Sequence, residues 1–185
     1  MGKAYQLTGK NLIAGKTSAH GGEHFNAVDP GTMEELPEAF CVASKDEIEE
    51  AMQASIAAFR TYQNIEPGQR ALFLEAIAQE MLDLDDQLVQ RVMREAALPE
   101  ARVIGERGRT VGQLRSFAKL IRAGDWVEPV IELADADRNP LPKPDIRKCL
   151  NPLGPVVVLG ASNFPLAYST AGGDTAAALA AGQTG

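Results

Sequence analysis

The sequence predicts an α/β fold, and three observations carry that reading. Residues 44–124 show apolar side chains at helical spacing, divided by caps and prolines. Residues 155–160 are an almost unbroken β-branched run. An Ala-rich stretch follows that run across a short loop.

Residues 1–43 read as short strands and turns. Leu12-Ile13-Ala14-Gly15 is a brief apolar strand, and Asp29-Pro30-Gly31-Thr32 is a turn, because Pro presets φ and Gly admits positive φ. Ser44-Lys45-Asp46-Glu47 fits a capping box. Ile48, Met52, Ile56 and Phe59 follow it at helical spacing. Pro67 suits the first turn of a second helix, with Leu74, Ile77, Met81 and Leu84 on its apolar face. Asp85-Asp86 starts a third helix, which carries Leu88, Val92 and Ala96. Leu98-Pro99 ends it and opens a fourth, with Val103, Val111, Leu114, Phe117 and Ile121 on one side and Gly124 as its C-cap.

After Asp125 the texture changes. Residues 126–131 and 146–150 read as strands, and the Pro-rich stretch 138–143 between them cannot be helical. The run Pro155-Val156-Val157-Val158-Leu159-Gly160 reads as a strand buried on both faces, as in a parallel sheet. A loop over residues 160–165 leads to a helix over about 166–181. A strand, a tight loop and a helix in this order are the opening unit of the nucleotide-binding α/β folds.

Composition narrows the classes of partner. The 185 residues suffice for one domain with a core, and 45% are apolar. The net charge of −7 comes without a basic stripe, which argues against nucleic acid. No apolar run reaches the ~20 residues that cross a bilayer, and Gly172, Gly173 and Asp174 interrupt the nearest candidate, so no membrane partner is expected. Cys41 and Cys149 follow a start without a secretory pattern (it contains Lys3, Lys10 and Asn11), so reduced thiols and a cytoplasmic location are expected.

Ligands of such folds sit beyond the carboxyl ends of the strands, here Leu159-Gly160-Ala161-Ser162-Asn163-Phe164-Pro165. The small Gly160 and Ala161 would let a flat ring approach, yet Gly160 reads equally as a turn glycine. Asn163 is a loop amide donor or a simple helix N-cap. Phe164 is by default a core residue. No G-x-G-x-x-G stands at the junction. His20 and His24 flank Gly21-Gly22 and read as solvated loop histidines, and the acidic residues 83–86 read as a helix boundary. No metal is expected.

Resemblance weighs on these alternatives. Phe25-Asn26-Ala27-Val28-Asp29-Pro30-Gly31-Thr32 resembles the N-terminal "N-P-x-T" turn of the aldehyde dehydrogenases, and residues 44–60 look like the helix after it. Residues 152–160 resemble the family's "P-x-G-x-V" strand, and Asn163-Phe164-Pro165-Leu166 its "N-F-P" loop. Leu98-Pro99-Glu100-Ala101-Arg102, Gly105-Glu106-Arg107-Gly108-Arg109-Thr110 and Gly172-Gly173-Asp174-Thr175 resemble the α-ketoglutarate semialdehyde (2,5-dioxovalerate) dehydrogenases within it.

The resemblance implies the N-terminal part of that family's fold, incomplete, with the first strand, loop and helix of a Rossmann-like NAD(P)-binding domain. Residues 1–124 would be strands and helices of the cofactor-binding domain, 125–150 a linker with oligomerisation strands, and 151–185 the truncated nucleotide-binding unit. It implies oxidation of a small-molecule aldehyde by a homo-oligomer using NADP or NAD, without metal. A cysteine thiolate attacks the aldehyde, and Asn163 stabilises the oxyanion of the thiohemiacetal. Leu159, Gly160, Ala161 and Ser162 would lie by the nicotinamide and its ribose. Phe164 and Tyr168 would line the aldehyde's path. The family's "G-Q-x-C" nucleophile and its general-base Glu lie far beyond the "N-F-P" loop. Gly182-Gln183-Thr184 has only a superficial likeness to the former, with Gly185 where Cys would stand. The 185 residues alone are therefore expected to be inactive; the alternative is a non-catalytic structural or subunit-interaction module derived from the family.

Overall fold

The computed structural model describes residues 5–184. Lys3 and Gly185, which entered the reading of the two ends, lie outside the described residues. The described residues hold three separate antiparallel hairpins and five α-helices.

The first hairpin pairs β1 (Asn11–Ile13) with β2 (Lys16–Ser18). Ala14 and Gly15 both take positive φ, 48° and 77°. Two such residues make the tight turn whose twist matches that of paired strands. The predicted strand 12–15 is therefore shorter at its end, because its last two residues are the turn. The second hairpin pairs β3 (His24–Asp29) with β4 (Glu34–Cys41) around the expected turn. There the Asp29 carboxylate accepts from the Gly31 N–H at 2.9 Å.

The capping box forms as predicted at the start of α1 (Lys45–Tyr62). Its acid does more than cap. One Glu47 oxygen accepts from the Ser44 N–H at 2.8 Å. The other accepts from the Ser18 hydroxyl, the His20 N–H and the Asn11 amide. One carboxylate thus ties the first hairpin to the helix start.

Helix α2 (Pro67–Asp83) opens on Pro67, α3 (Asp85–Ala96) starts at the paired aspartates, and α4 (Glu100–Ala123) ends on Gly124 at φ 80°. Ala71, Leu74, Ala78 and Met81 of α2 pack on Val111, Leu114, Ala118 and Ile121 of α4. Ala176 and Ala180 of α5 (Gly173–Ala180) close that core. Five of these ten side chains are alanine, which lets the helix axes approach closely. A second, smaller cluster joins Val89 and Val92 of α3 to Val103 of α4 and to Leu166.

Four expectations change beyond residue 124. Residues 125–127 form a 3-10 turn, and β5 (Val130–Glu132) begins only after Glu128 at φ 48° and Pro129. β5 pairs with β6 (Ile146–Lys148), shorter than the predicted 146–150, and both strands are exposed along their length. The run Val156 to Leu159 forms no ladder; Val157 is 74% and Leu159 85% exposed. A strand buried on both faces needs neighbours on both edges, and the described residues offer only the Val156 N–H donating to the Thr184 carbonyl at 2.7 Å. The last helix starts at Gly173, not near residue 166.

The exposed run and α1 face each other across an apolar groove of roughly 890 Å³. Of the helical face read from the sequence, Ile48 and Met52 line it, and Ile48, Met52 and Ile56 remain 55%, 41% and 36% exposed. Cys41 and Cys149 are free thiols, and among the described residues no group of His, Cys, Asp and Glu could hold a metal ion.

Glu47 gives this part of the fold a pH dependence. The Ser18 hydroxyl, then the Ser44 N–H, hold its carboxyl well below the usual range of 4.5, and burial opposes them only in part. Its contribution is therefore complete above pH ~4.5 and is lost as pH falls from there towards the lowered value. Glu47→Gln should lower the melting midpoint at pH 7, and the gap to the unaltered protein should close on acidification below about pH 4. A gap that stays constant from pH 7 to pH 3 would show that the carboxylate charge plays no part.

Candidate active site

The site is built on α4. Its apolar stripe, Val103, Val111 and Leu114, is interrupted by Glu106 and Thr110, which are buried to 6% and 0% exposure. Buried polar groups must find partners, and these two find the backbone of one residue. The Leu166 N–H donates to Glu106 Oε2 at 3.3 Å. The Thr110 hydroxyl donates to the Leu166 carbonyl at 2.8 Å. Neither group of Leu166 is left for a helical ladder, which accounts for the late start of α5.

The chain then turns back on itself. Tyr168 N–H donates to the Phe164 carbonyl at 3.1 Å, and Ala161 N–H to the Tyr168 carbonyl at 2.7 Å. Gly172 and Gly173 let the loop close. A Cβ on Gly172 would fall 2.6 Å from the Ser169 nitrogen, and one on Gly173 2.8 Å from the Gln113 side chain. The result is a loop clamped at Leu166, with residues 159–164 on the outside.

Each predicted site residue has a definite place there. Leu159, Gly160, Ala161, Ser162 and Asn163 are consecutive and exposed. Asn163 caps no helix among the described residues, since the N-cap of α5 is Gly172. The alternative reading of Asn163 as the cap of that helix is thereby removed. Its carbonyl accepts from Arg102 Nη2 at 3.3 Å, and its side-chain amide has no partner among the described residues. Phe164 is 37% exposed, so it is not a core residue either. Phe164 and Tyr168 meet edge to face at 5.6 Å between ring centres.

These two rings form one wall of a cleft of about 400 Å³, and Arg102, Gly105 and Arg109 of α4 form the other. The Arg102 guanidinium lies 4.9 Å from the Phe164 ring centre, and that of Arg109 lies 5.0 Å from the Tyr168 ring centre. Arg102 is also paired with Glu106 at 2.9 Å. The larger groove beside α1 contains none of the predicted site residues. Its one charged side chain, Arg70, is committed to the carbonyls of Gln63, Ile65 and Ala180.

Sequence reasoning gave no role to Arg102, Glu106, Arg109 or Thr110. A signal existed for two of them: Glu106 and Thr110 fall on the helical stripe of Val103, Val111 and Leu114, where a polar residue needs a reason. The arginines offered less, because charges on an exposed helix face usually meet only water.

The aldehyde dehydrogenase family model matches residues 17–184. The chain is 48% identical over 178 residues to an α-ketoglutaric semialdehyde dehydrogenase of Azospirillum brasilense, covering 96% of this chain and 34% of that protein. It is 44% identical over 174 residues to the corresponding enzyme of Acinetobacter baylyi, covering 94% and 33%. In fold it matches betaine aldehyde dehydrogenase of Staphylococcus aureus, solved in complex with NAD+, at a TM-score of 0.81 and 19% identity over 96% of this chain and 34% of that one. The chain spans about a third of the length of the curated relatives it matches. A family match over nearly the whole chain, with the loop motif at its strand end and the fold that carries it, places the chain in the aldehyde dehydrogenase family.

Proposed function

We propose that this chain supplies the oxyanion-binding loop, and one side of the cofactor and substrate sites, of an NAD(P)-dependent enzyme that oxidises α-ketoglutarate semialdehyde to the carboxylic acid. The observation that carries the reading is Asn163. Its side-chain amide is exposed and, among the described residues, has no partner and caps no helix, on a loop that α4 holds by the backbone of Leu166. A donor already oriented where negative charge develops stabilises a tetrahedral oxyanion without reorganising at the moment of reaction. Phe164 and Tyr168 offer an aromatic wall for the aldehyde's carbon chain. The relatives named for this substrate, at 48% and 44% identity, support the choice of aldehyde.

Leu159, Gly160, Ala161 and Ser162 fit the edge of a flat cofactor ring. They are exposed, and Gly160 and Ala161 keep side-chain bulk away from the backbone. Bound there, NAD+ or NADP+ would supply the hydride acceptor. The nucleophilic cysteine and the general base belong to neither Cys41, on β4, nor Cys149, which is exposed after β6. The working enzyme is read as a cytoplasmic homo-oligomer without metal, and the 185 residues alone as inactive.

In the longer protein that carries this segment, Asn163→Ala should lower kcat by about 10²–10³-fold, the usual loss for one oxyanion donor. The melting midpoint should hardly move. A rate within about twofold of the unaltered enzyme, combined with a loss of ~1 kcal/mol in stability, would assign Asn163 a structural role. Aldehyde oxidation by the purified 185-residue chain, abolished by Cys149→Ser, would overturn the division of labour proposed here.

A further inference from the structure

Resting on the reading above, we infer that Arg109, with the Tyr168 hydroxyl, binds the carboxylate at the far end of the substrate and so selects aldehydes that carry one. α-Ketoglutarate semialdehyde keeps one terminal carboxylate, four carbon–carbon bonds from its aldehyde carbon. That is a span of roughly 5 Å, set by ordinary bond lengths. A site that accepts the aldehyde end near Asn163 can select for this anion only by offering it a partner of opposite charge.

The two arginines of the cleft differ in availability. The charge of Arg102 is already paired: its Nε donates to the Glu106 carboxylate, at i+4 on the same helix, and its Nη2 donates to the Asn163 carbonyl. Arg109 faces no carboxylate within ion-pair distance among the described residues, and only neutral groups hold it. Its Nη2 donates to the Tyr168 hydroxyl oxygen at 3.1 Å and its Nη1 to the Gln113 side chain at 3.3 Å. Two of five N–H donors are used, and three remain. Because Tyr168 accepts from Arg109, its own O–H proton is free to point into the cleft. The guanidinium lies over the Tyr168 ring, and this contact together with the Tyr168 and Gln113 hydrogen bonds holds it for a two-point approach to a carboxylate. Arg102 and Arg109 stand seven residues apart on one face of α4, so Arg109 lies about 10 Å further along the helix from the arginine that touches Asn163. The anion would thus be read at the end of the cleft away from the arginine that holds the Asn163 backbone.

The test compares α-ketoglutarate semialdehyde with pentanal, an uncharged aldehyde of the same carbon count, in the longer enzyme. The ratio of kcat/KM for the acid aldehyde over pentanal should fall roughly 10–100-fold in Arg109→Ala, mostly through KM for the acid. Arg109→Lys should recover part of it. Arg107→Ala removes the same charge from the same helix, where Arg107 meets only the Asp85 carbonyl among the described residues, and should leave the ratio in place. Calorimetry with 2-oxopentanoate, which has the carboxylate and no aldehyde, supplies a readout without turnover. Its binding should be lost in Arg109→Ala and kept in Arg107→Ala. A ratio and a 2-oxopentanoate affinity both untouched by Arg109→Ala would overturn the inference while leaving the aldehyde reading intact. Binding of 2-oxopentanoate that depends on Arg109, in a protein that oxidises no aldehyde, would keep the carboxylate site and refute the enzyme reading.

Discussion

The structure turns on the grip of α4 on a single residue. Glu106 and Thr110 take both backbone groups of Leu166 from inside the protein, while the Leu166 side chain seats itself among Val89, Val92 and Val103. A buried carboxylate is costly unless charge and hydrogen bonds meet it, and here the Arg102 guanidinium and the Leu166 N–H meet it together. The grip stops a helix from starting at residue 166, forces the turn through Phe164 to Tyr168, and leaves Leu159 to Asn163 facing outward. Each residue of the proposed chemistry takes its place from that one attachment.

How much of this the sequence discloses depends on where each signal resides. The helices carry theirs locally. Ser44 and Glu47 announce a capping box, Pro67 a first turn and Gly124 a C-cap, and all three occur where expected. The run Val156 to Leu159 also carries a local signal, yet strand formation is not a local property. β-Branched residues favour a pleated, covered surface, and without strands on both edges Val157 and Leu159 stand exposed while Val156 and Val158 are half-buried. The late start of α5 was hidden for another reason. Alanines at 167 and 171 favour a helix through this stretch, but two side chains on α4, 56 and 60 positions away from Leu166, compete for its backbone and win.

The site divides in the same way. Asn163 and Phe164 stand out through the loop motif and Tyr168 through the family resemblance, although on sequence physics alone Asn163 reads more readily as a cap and Phe164 as core. The start of α5 at Gly173 and the exposure of Phe164 weigh against those plain readings. The α4 contribution was not visible, because helix spacing tells which residues share a face and not what lies opposite. Arg102 and Arg109 acquire meaning only once Phe164 and Tyr168 are folded beneath their guanidinium groups. A rigid helix thus presents the fixed partners, and a short loop presents the edge to which the proposed chemistry is assigned.

The claim that α4 positions the loop is tested most directly by hydrogen exchange in Thr110→Val and Glu106→Leu, measured beside the unaltered protein. Each substitution leaves the helix intact and removes one partner of Leu166, a loss of ~1–3 kcal/mol for a buried group. The account predicts ten- to hundredfold faster exchange at the Leu166, Ala161 and Tyr168 amides, while the amides of α2 and of α4 around Leu114 and Ala118 keep their protection. Unchanged exchange at those three amides, or an equal loss across the whole helical core, would contradict it.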